Sequence, residues 1–414
     1  MRILTVTQTY APFLEFGGPP VKVQALARGF AGHGHEVTVL TADWGVKARI
    51  RAAKRSGATE GFGGERSPFG WSWRDSGVTA TYLPTWLKYR SVSWNPAVRR
   101  FCEAQLEDFD LAHIFGLYDI LGPAVAAACV KRKIPYVLEP IGMFVPIVRS
   151  LRLKRIYHAL FGRQLFEQAS AIIATSEQEV EELASGGVAR GRITLRRNGV
   201  EVPESWPAHG SFRHELGIAK EEKVILFLGR LSKKKSPDLL LEAFATLSRE
   251  AGGKTLLLVF AGPDEGGMKV RLSQMAEQLG LFSRVRFTGP IFGVAKWAAY
   301  RDADVFVLPS QNENFGNTAA ESAAAGTPVV VTDRCGIAPL LADVAGLVVP
   351  HEAGALAAAI KSVVCDTKVR ARLVAGCSEV TERLGWEEPV CEMETLYYKL
   401  AIERRDSAKF EALE

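Results

Sequence analysis

The sequence lacks the features that mark secreted and membrane-spanning proteins. Its 414 residues contain no apolar run that approaches the roughly 18 residues needed to cross a bilayer. The opening residues, Met1-Arg2-Ile3, lead directly into a short strand pattern instead of a secretory signal. We therefore expect a cytoplasmic protein.

Cysteine is also scarce, and its spacing excludes the common metal motifs. No Cys-x-x-Cys pair occurs, and no cysteine stands at metal-ligand spacing from a histidine. We expect six reduced and mostly buried thiols and no metal site. The six are Cys102, Cys129, Cys335, Cys365, Cys377 and Cys391.

The composition is that of a globular protein, with 47% hydrophobic and 23% charged residues. Charge is unevenly distributed. Residues 1–205 carry 26 Lys and Arg against 19 Asp and Glu, a net charge of +7, and the remainder carries 25 against 27, or −2. Basic clusters at 47–51, 131–133 and 149–155 could attract the anionic inner face of the membrane or a phosphorylated acceptor, or could form a solvated face. No aromatic stripe or reader motif accompanies them, so we expect no nucleic acid.

The first half of the chain alternates between strand and helix patterns, which is typical of a parallel sheet. Residues 45–77, rich in Gly, Arg and Trp, resemble a long excursion from that sheet. Helical patterns cover 96–107 and 177–185. The predicted strands are 2–9, 36–42, 78–83, 111–115, 135–139, 171–175 and 193–197.

The second half repeats the alternation after a lapse of periodicity around residues 203–210. We predict an α/β protein of two Rossmann-like, doubly wound domains, 1–203 and 204–385, with the amphipathic segment 386–405 packing back on the first. Predicted strands are 224–228, 255–260, 285–288, 305–308, 328–332 and 347–349. Predicted helices are 237–249, 268–279, 294–301, 317–325 and 353–364.

Ligands of open parallel sheets bind beyond the carboxyl ends of the strands, so the loops there are the candidate sites. One loop runs from Gly229-Arg230-Leu231 to Lys235, before a helix whose start is marked by Ser236 as N-cap and Pro237 as first residue. Arg230 and Lys235 suit a pyrophosphate, although two surface cations near a helix start would give the same pattern.

A second loop carries the strongest signal. After the strand ends at Pro309, the chain reads Glu313-Asn-Phe-Gly and then begins a helix that contains Glu321 and ends at Gly326. Because helical side chains lean toward the N-terminus, Glu321 can point toward the pocket that Glu313 enters. The N–H groups near 316–318 form an anion site. The alternative is a polar helix start with incidental glutamates.

On these residues the whole chain resembles the retaining glycosyltransferases of family 4, which have the GT-B architecture of two facing Rossmann-like domains. The similarity rests on Gly17-Gly18 after the first strand, on Gly229-Arg230-Leu231 with Lys235, and on Glu321 eight residues after Glu313. It implies a nucleotide-sugar donor, a saccharide, lipid-linked or small-molecule acceptor, retention of anomeric configuration, and no metal or other cofactor. It leaves the oligomeric state open.

The resemblance also implies roles for individual residues. Arg230 and Lys235 would hold the donor diphosphate, Glu321 the ribose, and Glu313 the donor sugar. The remaining donor-binding positions would act largely through backbone groups. They are Gly17, Gly18, Pro290, Ile291, Asn314, Phe315, Gly316, Asn317 and Thr318.

A third loop belongs to the acceptor side. His113, in Asp110-Leu-Ala-His113, is expected near a strand's carboxyl end and facing the cleft, although a lone histidine is also commonly structural. Many relatives have histidine where this chain has Ile141, so Glu139 becomes a second candidate base.

Three other functions compete with sugar transfer. An NAD-dependent oxidoreductase would need a glycine motif between strand and helix, and the cluster at 61–64 lacks that context. A catalytically silent binding protein at a membrane would not need both glutamates and both cations. A GT-B sugar 2-epimerase would use different acid-base groups. Asp302 and Asp304, at a predicted strand start, are expected to be structural.

Overall fold

The computed structural model describes residues 1–14, 17–55, 64–89, 92–145, 155–249 and 256–411. The chain divides into two compact units. Unit 1 comprises Met1–Gly199 and Trp386–Glu414, and unit 2 comprises Val200–Gly385. Most of the glycine cluster at 61–64 and of the basic cluster at 149–155 lies outside the described residues.

Unit 1 is built on a nine-stranded sheet in the order β11-β10-β9-β8-β1-β2-β5-β4-β3. Its central strands are parallel, while β3 and β4 are antiparallel. A separate hairpin is formed by β6 and β7. The strands are β1 (Arg2–Thr7), β2 (Glu36–Ala42), β3 (Glu65–Ser67), β4 (Gly70–Asp75), β5 (Val78–Leu83), β6 (Leu87–Tyr89), β7 (Val92–Trp94), β8 (Leu111–Phe115), β9 (Tyr136–Glu139), β10 (Ala171–Ala174) and β11 (Ile193–Leu195).

The helices of unit 1 connect these strands, and the last of them returns from the end of the chain. The expected excursion over 45–77 is wrong in part, because β3 and β4 extend the sheet beyond β5. The helices are α1 (Gly18–Gly32), α2 (Val46–Arg55), α3 (Ala97–Gln105), α4 (Leu121–Lys131), α5 (Arg163–Glu167), α6 (Glu177–Ser185) and the C-terminal helix (Glu387–Glu411).

Unit 2 contains a six-stranded, wholly parallel sheet in the order β14-β13-β12-β15-β16-β17. Its strands are β12 (Lys223–Leu228), β13 (Leu256–Ala261), β14 (Val285–Gly289), β15 (Val305–Leu308), β16 (Val329–Thr332) and β17 (Gly346–Val349). Its helices are α7 (Ser211–Glu215), α8 (Pro237–Arg249), α9 (Met268–Gln278), α10 (Gly293–Asp302), α11 (Asn317–Ala324), α12 (Ala338–Leu341), α13 (Ala353–Cys365) and α14 (Thr367–Glu382). The predicted pair of parallel-sheet α/β domains is confirmed.

The central strands of the unit 2 sheet are buried on both faces, as their uninterrupted apolar sequences require. Along β12, Val224 and Leu226 belong to one buried cluster, while Ile225 and Phe227 belong to the cluster on the opposite face. Each such side chain contributes about 1.5–3 kcal/mol through burial. Along these central strands, polar side chains can therefore face solvent only at or beyond the strand ends, whereas Arg286 on the edge strand β14 is exposed.

The C-terminal helix, which we call α15, packs on unit 1. Val390, Met393, Tyr397 and Leu400 on one side of α15 join the core that also contains β1 and α1. At Gly29 of α1 an added Cβ would lie 2.5 Å from Val390. The two helices thus approach closely, which fixes α15 against the sheet.

Among the described residues, no helix combines the length and apolarity that a membrane span requires. Of the six cysteines, Cys365 and Cys391 are exposed and the others are buried.

Two helical glycines of unit 2 allow a test of this packing. Helix propensity alone favours alanine over glycine by about 1 kcal/mol. At Gly376 in α14, however, a Cβ would lie 2.0 Å from the Val344 carbonyl oxygen. We expect Gly376→Ala to lower the free energy of unfolding by about 1–3 kcal/mol, measured by urea denaturation. Gly354→Ala in α13, where a Cβ meets nothing within 4 Å, is the matched control and should be neutral or stabilising.

Candidate active site

Two loops at the carboxyl edge of the unit 2 sheet are joined by their backbones. The loop after β12 forms a short 3-10 turn at Lys233–Lys235, and the loop after β15 carries Gln311 and Glu313. The Gln311 N–H donates to the Lys234 carbonyl at 2.9 Å. Parallel neighbours end at the same edge, so residues more than seventy positions apart in sequence become adjacent.

Lys235 and Glu313 form a direct ion pair between these loops. The Lys235 ammonium donates to Glu313 Oε2, and both side chains are largely but not fully buried, with 18% and 17% exposure. The Glu313 backbone is fixed as well, because its N–H donates to Arg334 and its carbonyl accepts from Gly336. The structure thus brings together one cation and one carboxylate that the sequence singled out.

Ser236 occupies the predicted cap position, where its carbonyl accepts from the Leu240 N–H at 3.4 Å, but its backbone conformation and its side-chain partner differ from those of a usual cap. Helix α8 begins at Pro237, but Ser236 lies in the left-handed region with φ 47°. Its Oγ pairs with His351 Nε2 at 2.9 Å. The tight turn that positions Lys235 therefore holds Ser236, which is not glycine, at positive φ. This backbone conformation costs conformational energy.

Arg230 follows β12 and is the more exposed of the two predicted cations. Its Nη1 lies 3.6 Å from Glu265, and its side chain is 64% exposed. The backbone beside it is tightly packed, because a Cβ on Gly262 would lie 1.9 Å from the Gly229 carbonyl oxygen. Only glycine fits Gly262, whose φ is +143°.

The start of α11 presents backbone donors at the same edge. Gly316 precedes the helix with φ +111°, and its carbonyl accepts from Ala319 and Ala320. Asn317 and Thr318 occupy the first turn, where the N–H groups have no intrahelical acceptor. The Thr318 hydroxyl is buried and lacks a hydrogen-bond partner. A ligand oxygen placed here would satisfy it.

Asn314 and Phe315 lie in the loop directly before Gly316 and α11. Phe315 is 3% exposed and its side chain packs in the core, so only its backbone can face a ligand. Its carbonyl accepts from the Ile337 N–H at 2.7 Å. Asn314 is partly buried.

Glu321 is held by two residues of α10 that sequence reasoning missed. Lys296 Nζ lies 2.8 Å from its Oε1, and the Tyr300 hydroxyl donates to its Oε2 at 2.9 Å. Burial raises the pKa of Tyr300 well above its ordinary value, so the hydroxyl stays a donor. Lys296 and Tyr300 are four residues apart and share one helix face, but no local signal connects that face to Glu321.

The loop after β14 extends this edge. Pro290 is exposed and Ile291 is partly buried. The Gly289 carbonyl accepts from Gly262, which ties this loop to the one after β13.

In unit 1, Gly17 and Gly18 mark the start of α1. Gly17 precedes the helix with φ 108°, and an added Cβ there would meet nothing within 4 Å. Gly18 is exposed as the first helical residue. Proline follows in the first turn, where a missing N–H costs no helical hydrogen bond.

Glu139 lies in a fully buried charge cluster at the carboxyl end of β9. Lys22 Nζ lies 2.7 Å from its Oε1, and Arg196 Nη2 lies 2.9 and 2.8 Å from its two oxygens. Burial alone would raise the pKa of Glu139, but Arg196 and Lys22 lower it to about 2. All three side chains are at most 2% exposed.

His113 adjoins the same cluster, and the expectation that its side chain faces an open cleft is wrong. The ring is 0% exposed because α15 covers it. Its Nδ1 pairs with the Tyr397 hydroxyl at 2.6 Å, and its Nε2 lies 3.6 Å from Glu139. Burial lowers the pKa of His113 to about 3, so the ring is neutral. The anionic Glu139 favours the tautomer protonated at Nε2.

The lysine and arginine that surround Glu139 were not found from the sequence. Lysine and arginine are rarely fully buried, so the sequence pattern predicts that Lys22 and Arg196 lie at the surface. Asp302 and Asp304 have structural contacts, as expected. Asp302 accepts from the start of α7, and Asp304 pairs with Arg213 and Lys223.

The buried cluster predicts a large effect on stability. Glu139→Gln removes the negative charge that is paired with both Lys22 and Arg196, so we expect a loss of about 3–5 kcal/mol in the free energy of unfolding at pH 7. The wild-type protein should also lose this contribution as the pH falls from about 4.5 to about 2, because the unfolded carboxyl binds a proton before the folded one does.

Urea denaturation across this pH range is the measurement. Glu167→Gln, which removes an exposed carboxylate paired with Arg163, is the control and should change stability by less than about 0.5 kcal/mol. A Glu139→Gln protein as stable as the wild type would contradict the structural role.

Comparisons with known proteins agree with this architecture. Residues 17–199 match the glycosyl transferase 4-like domain, and residues 210–376 match the glycosyl transferases group 1. The chain is 34% identical over 255 residues to a D-inositol 3-phosphate glycosyltransferase of Xylanimonas cellulosilytica, which covers 58% of this chain and 60% of that protein. The chain thus spans about 60% of the length of that relative.

Other similarities extend over nearly the whole chain. An uncharacterized glycosyltransferase of Methanocaldococcus jannaschii is 26% identical over 97% of this chain and 99% of its own length. HepE of Anabaena, solved with UDP and glucose, superposes with a TM-score of 0.73 at 20% identity, covering 96% of this chain and 99% of HepE.

Sucrose-phosphate synthase of Thermosynechococcus elongatus gives a TM-score of 0.71 at 21% identity, over 96% and 98% of the two chains. These structural similarities show the fold. The two family matches cover the greater part of both units. The structural similarities show the GT-B fold, and the family matches place a glycosyl transferase 4-like domain before a group 1 domain.

Proposed function

We propose that the chain transfers a hexose from a nucleotide-sugar to an acceptor hydroxyl with retention of anomeric configuration, and that unit 2 binds the donor. The observation that carries the proposal is the Lys235–Glu313 pair beside the start of α11. One edge of a parallel sheet there combines a cation, a carboxylate and helix N–H groups. A sugar diphosphate requires those three kinds of group.

Each group has a task in breaking the anomeric C–O bond. Negative charge grows on the departing diphosphate, and Lys235, Arg230 and the N–H groups at the start of α11 stabilise it. Glu313 orients Lys235 and accepts hydrogen bonds from sugar hydroxyls. We propose that these fixed groups take the place of a diphosphate-bound metal, because the cations and the helix N–H groups stabilise the negative charge of the diphosphate.

Retention follows if a diphosphate oxygen assists the incoming acceptor hydroxyl on the face that the leaving group vacates. The oxygen accepts the acceptor's proton while the new glycosidic bond forms. This route needs no protein nucleophile. It agrees with the structure of unit 1, in which the Glu139 carboxylate is paired with buried cations and His113 is fully buried. We propose that His113 has a structural role, through its hydrogen bond to Tyr397, and is not a catalytic base.

Glu321 would recognise the ribose of the nucleotide. Lys296 and Tyr300 orient its carboxylate, and each oxygen keeps a further lone pair for a hydroxyl. A ribose diol can donate to both. Backbone groups near Pro290 and Ile291 would meet the base.

A negatively charged acceptor fits the basic first half of the chain. The relative from Xylanimonas is named for D-inositol 3-phosphate, which is a phosphorylated acceptor. Helix α2 contains five cations and no acid, and Lys131 and Lys133 add exposed or partly exposed charge elsewhere on unit 1. Attraction to an anionic inner membrane surface would act through the same residues.

Substitutions at the donor site test the proposal. We expect Lys235→Ala and Glu321→Ala each to reduce sugar transfer, the first by roughly 10²–10³-fold in kcat and the second mainly through a higher donor KM. The measurement is nucleotide release from the donor, with circular dichroism to verify folding.

The control is Lys220→Ala, which removes an exposed charge just before the amino end of β12. It should leave turnover unchanged. Lys235→Ala activity within a few fold of wild type would argue for a different diphosphate site. If the wild-type protein binds the nucleotide-sugar but releases no nucleotide from it, the chain would be a catalytically silent binding protein.

A nucleotide panel tests donor identity. Because HepE, a protein of the same fold, was solved with UDP, we expect UDP to stabilise the chain most among UDP, GDP and ADP. At about 100 times its Kd, UDP should add about 2.7 kcal/mol, measured as a rise in Tm. Glu321→Ala should reduce this rise. If GDP raises the Tm more than UDP does, the donor nucleotide is GDP and not UDP.

A further inference from the structure

Three potential metal ligands meet where the end of α1 contacts the beginning of α15. They are His33, at the C-terminal end of α1, and Glu387 and Cys391, in the first two turns of α15. Among the described residues, no other group of three His, Cys, Asp or Glu side chains has this proximity. His33 precedes Glu387 by 354 positions, so the sequence spacing could not reveal that these side chains meet.

The distances among the ligand atoms suit one small ion. His33 Nε2 lies 3.2 Å from Glu387 Oε1, and Cys391 Sγ lies 3.9 Å from the same oxygen. All three atoms lie within 4.8 Å of one another. Tetrahedral zinc places nitrogen, oxygen and sulfur ligands about 3.3–3.6 Å apart, so side-chain rotation alone could close the site.

The spacing of Glu387 and Cys391 supports a shared site. Residues four apart on a helix project from the same face, so both reach toward α1. Glu387 is 79% exposed, which leaves room for rotation and for a water molecule as fourth ligand.

A further carboxylate orients His33. Glu394 Oε1 lies 2.9 Å from His33 Nδ1, and it also lies 2.8 Å from His35 Nε2. A proton held on Nδ1 by Glu394 directs the Nε2 lone pair toward Glu387 and Cys391. Metal-bound histidines usually have such a carboxylate on their other nitrogen.

We propose that His33, Glu387 and Cys391 bind one zinc ion, with water as the fourth ligand and Glu394 as the residue that positions His33. One thiolate, one carboxylate and a neutral imidazole balance the charge of a divalent ion. Nitrogen and sulfur donors favour zinc over magnesium or calcium.

The ion would connect α15 to α1. Helix α15 carries Tyr397, which closes over His113, and Val390, which packs on Gly29. Zinc would therefore stabilise unit 1 without touching the donor site of unit 2. The inference does not depend on sugar transfer.

Cobalt is the test probe, because tetrahedral Co²⁺ with a thiolate ligand absorbs in the visible and gives a sulfur-to-metal band in the near ultraviolet. Chelator-treated full-length protein is titrated with Co²⁺ and then with Zn²⁺. We expect one equivalent of Co²⁺ to give both features and Zn²⁺ to displace it. Glu394→Gln should weaken zinc binding by about 10- to 100-fold.

Two cysteine variants separate this site from adventitious thiol binding. Cys391→Ser should lose the sulfur-to-metal band and the rise in Tm that zinc gives the wild type. Cys365→Ser, which removes the other exposed thiol and lies in unit 2, should behave as wild type.

Two outcomes would overturn the proposal. A wild-type spectrum without the thiolate band would mean that a protonated His33 between Glu387 and Glu394 forms an ordinary ion cluster instead. An unchanged band in Cys391→Ser would place the metal elsewhere. Stabilisation by UDP should persist in Cys391→Ser, so failure here is distinct from failure of the proposed donor site.

Discussion

A parallel strand that is buried on both faces can present polar side chains to solvent only near or beyond its ends, and this constraint organises the central strands of both sheets. In unit 2 the strands alternate between two apolar clusters, as Leu226 and Phe227 do on β12. The loops at the carboxyl edge then lie side by side. Gly262 packs directly against Gly229, and Gln311 bonds to Lys234. The charged groups of the candidate site, Lys235 and Glu313, lie in these loops.

The two units use carboxylates at this edge in opposite ways. Glu139 of unit 1 is fully buried and its oxygens are taken by Lys22 and Arg196, so it fixes strand and helix positions. Glu313 of unit 2 remains partly accessible beside Lys235. A saturated buried ion pair is costly to disturb, whereas a partly exposed pair can exchange its partner for a ligand. The difference in burial separates a structural carboxylate from a candidate binding one.

Sequence patterns located the regular elements well and the added edge strands poorly. The strands at 36–42, 78–83, 111–115 and 305–308 and the helices at 177–185 and 237–249 have the predicted limits. Long apolar or amphipathic segments carry a strong period, so their limits are readable. Strand β3 has only three residues and β4 begins at a glycine, and the pairing of β4 with β5 and of β3 with β4 makes them strands. The hairpin of β6 and β7 was missed for the same reason.

The sequence by itself determined the two α/β domains, the loops of the candidate site, and Lys235, Glu313 and Glu321 as their candidate residues. Local periodicity and helix-start chemistry are written in neighbouring residues, so they need no tertiary contact. Tertiary structure decided which charges are buried and which groups meet. Tyr300 reaches Glu321, Arg196 reaches Glu139, and α15 closes over His113 only after folding. Contacts between distant segments depend on how helices pack on the sheet, and no local pattern encodes that arrangement.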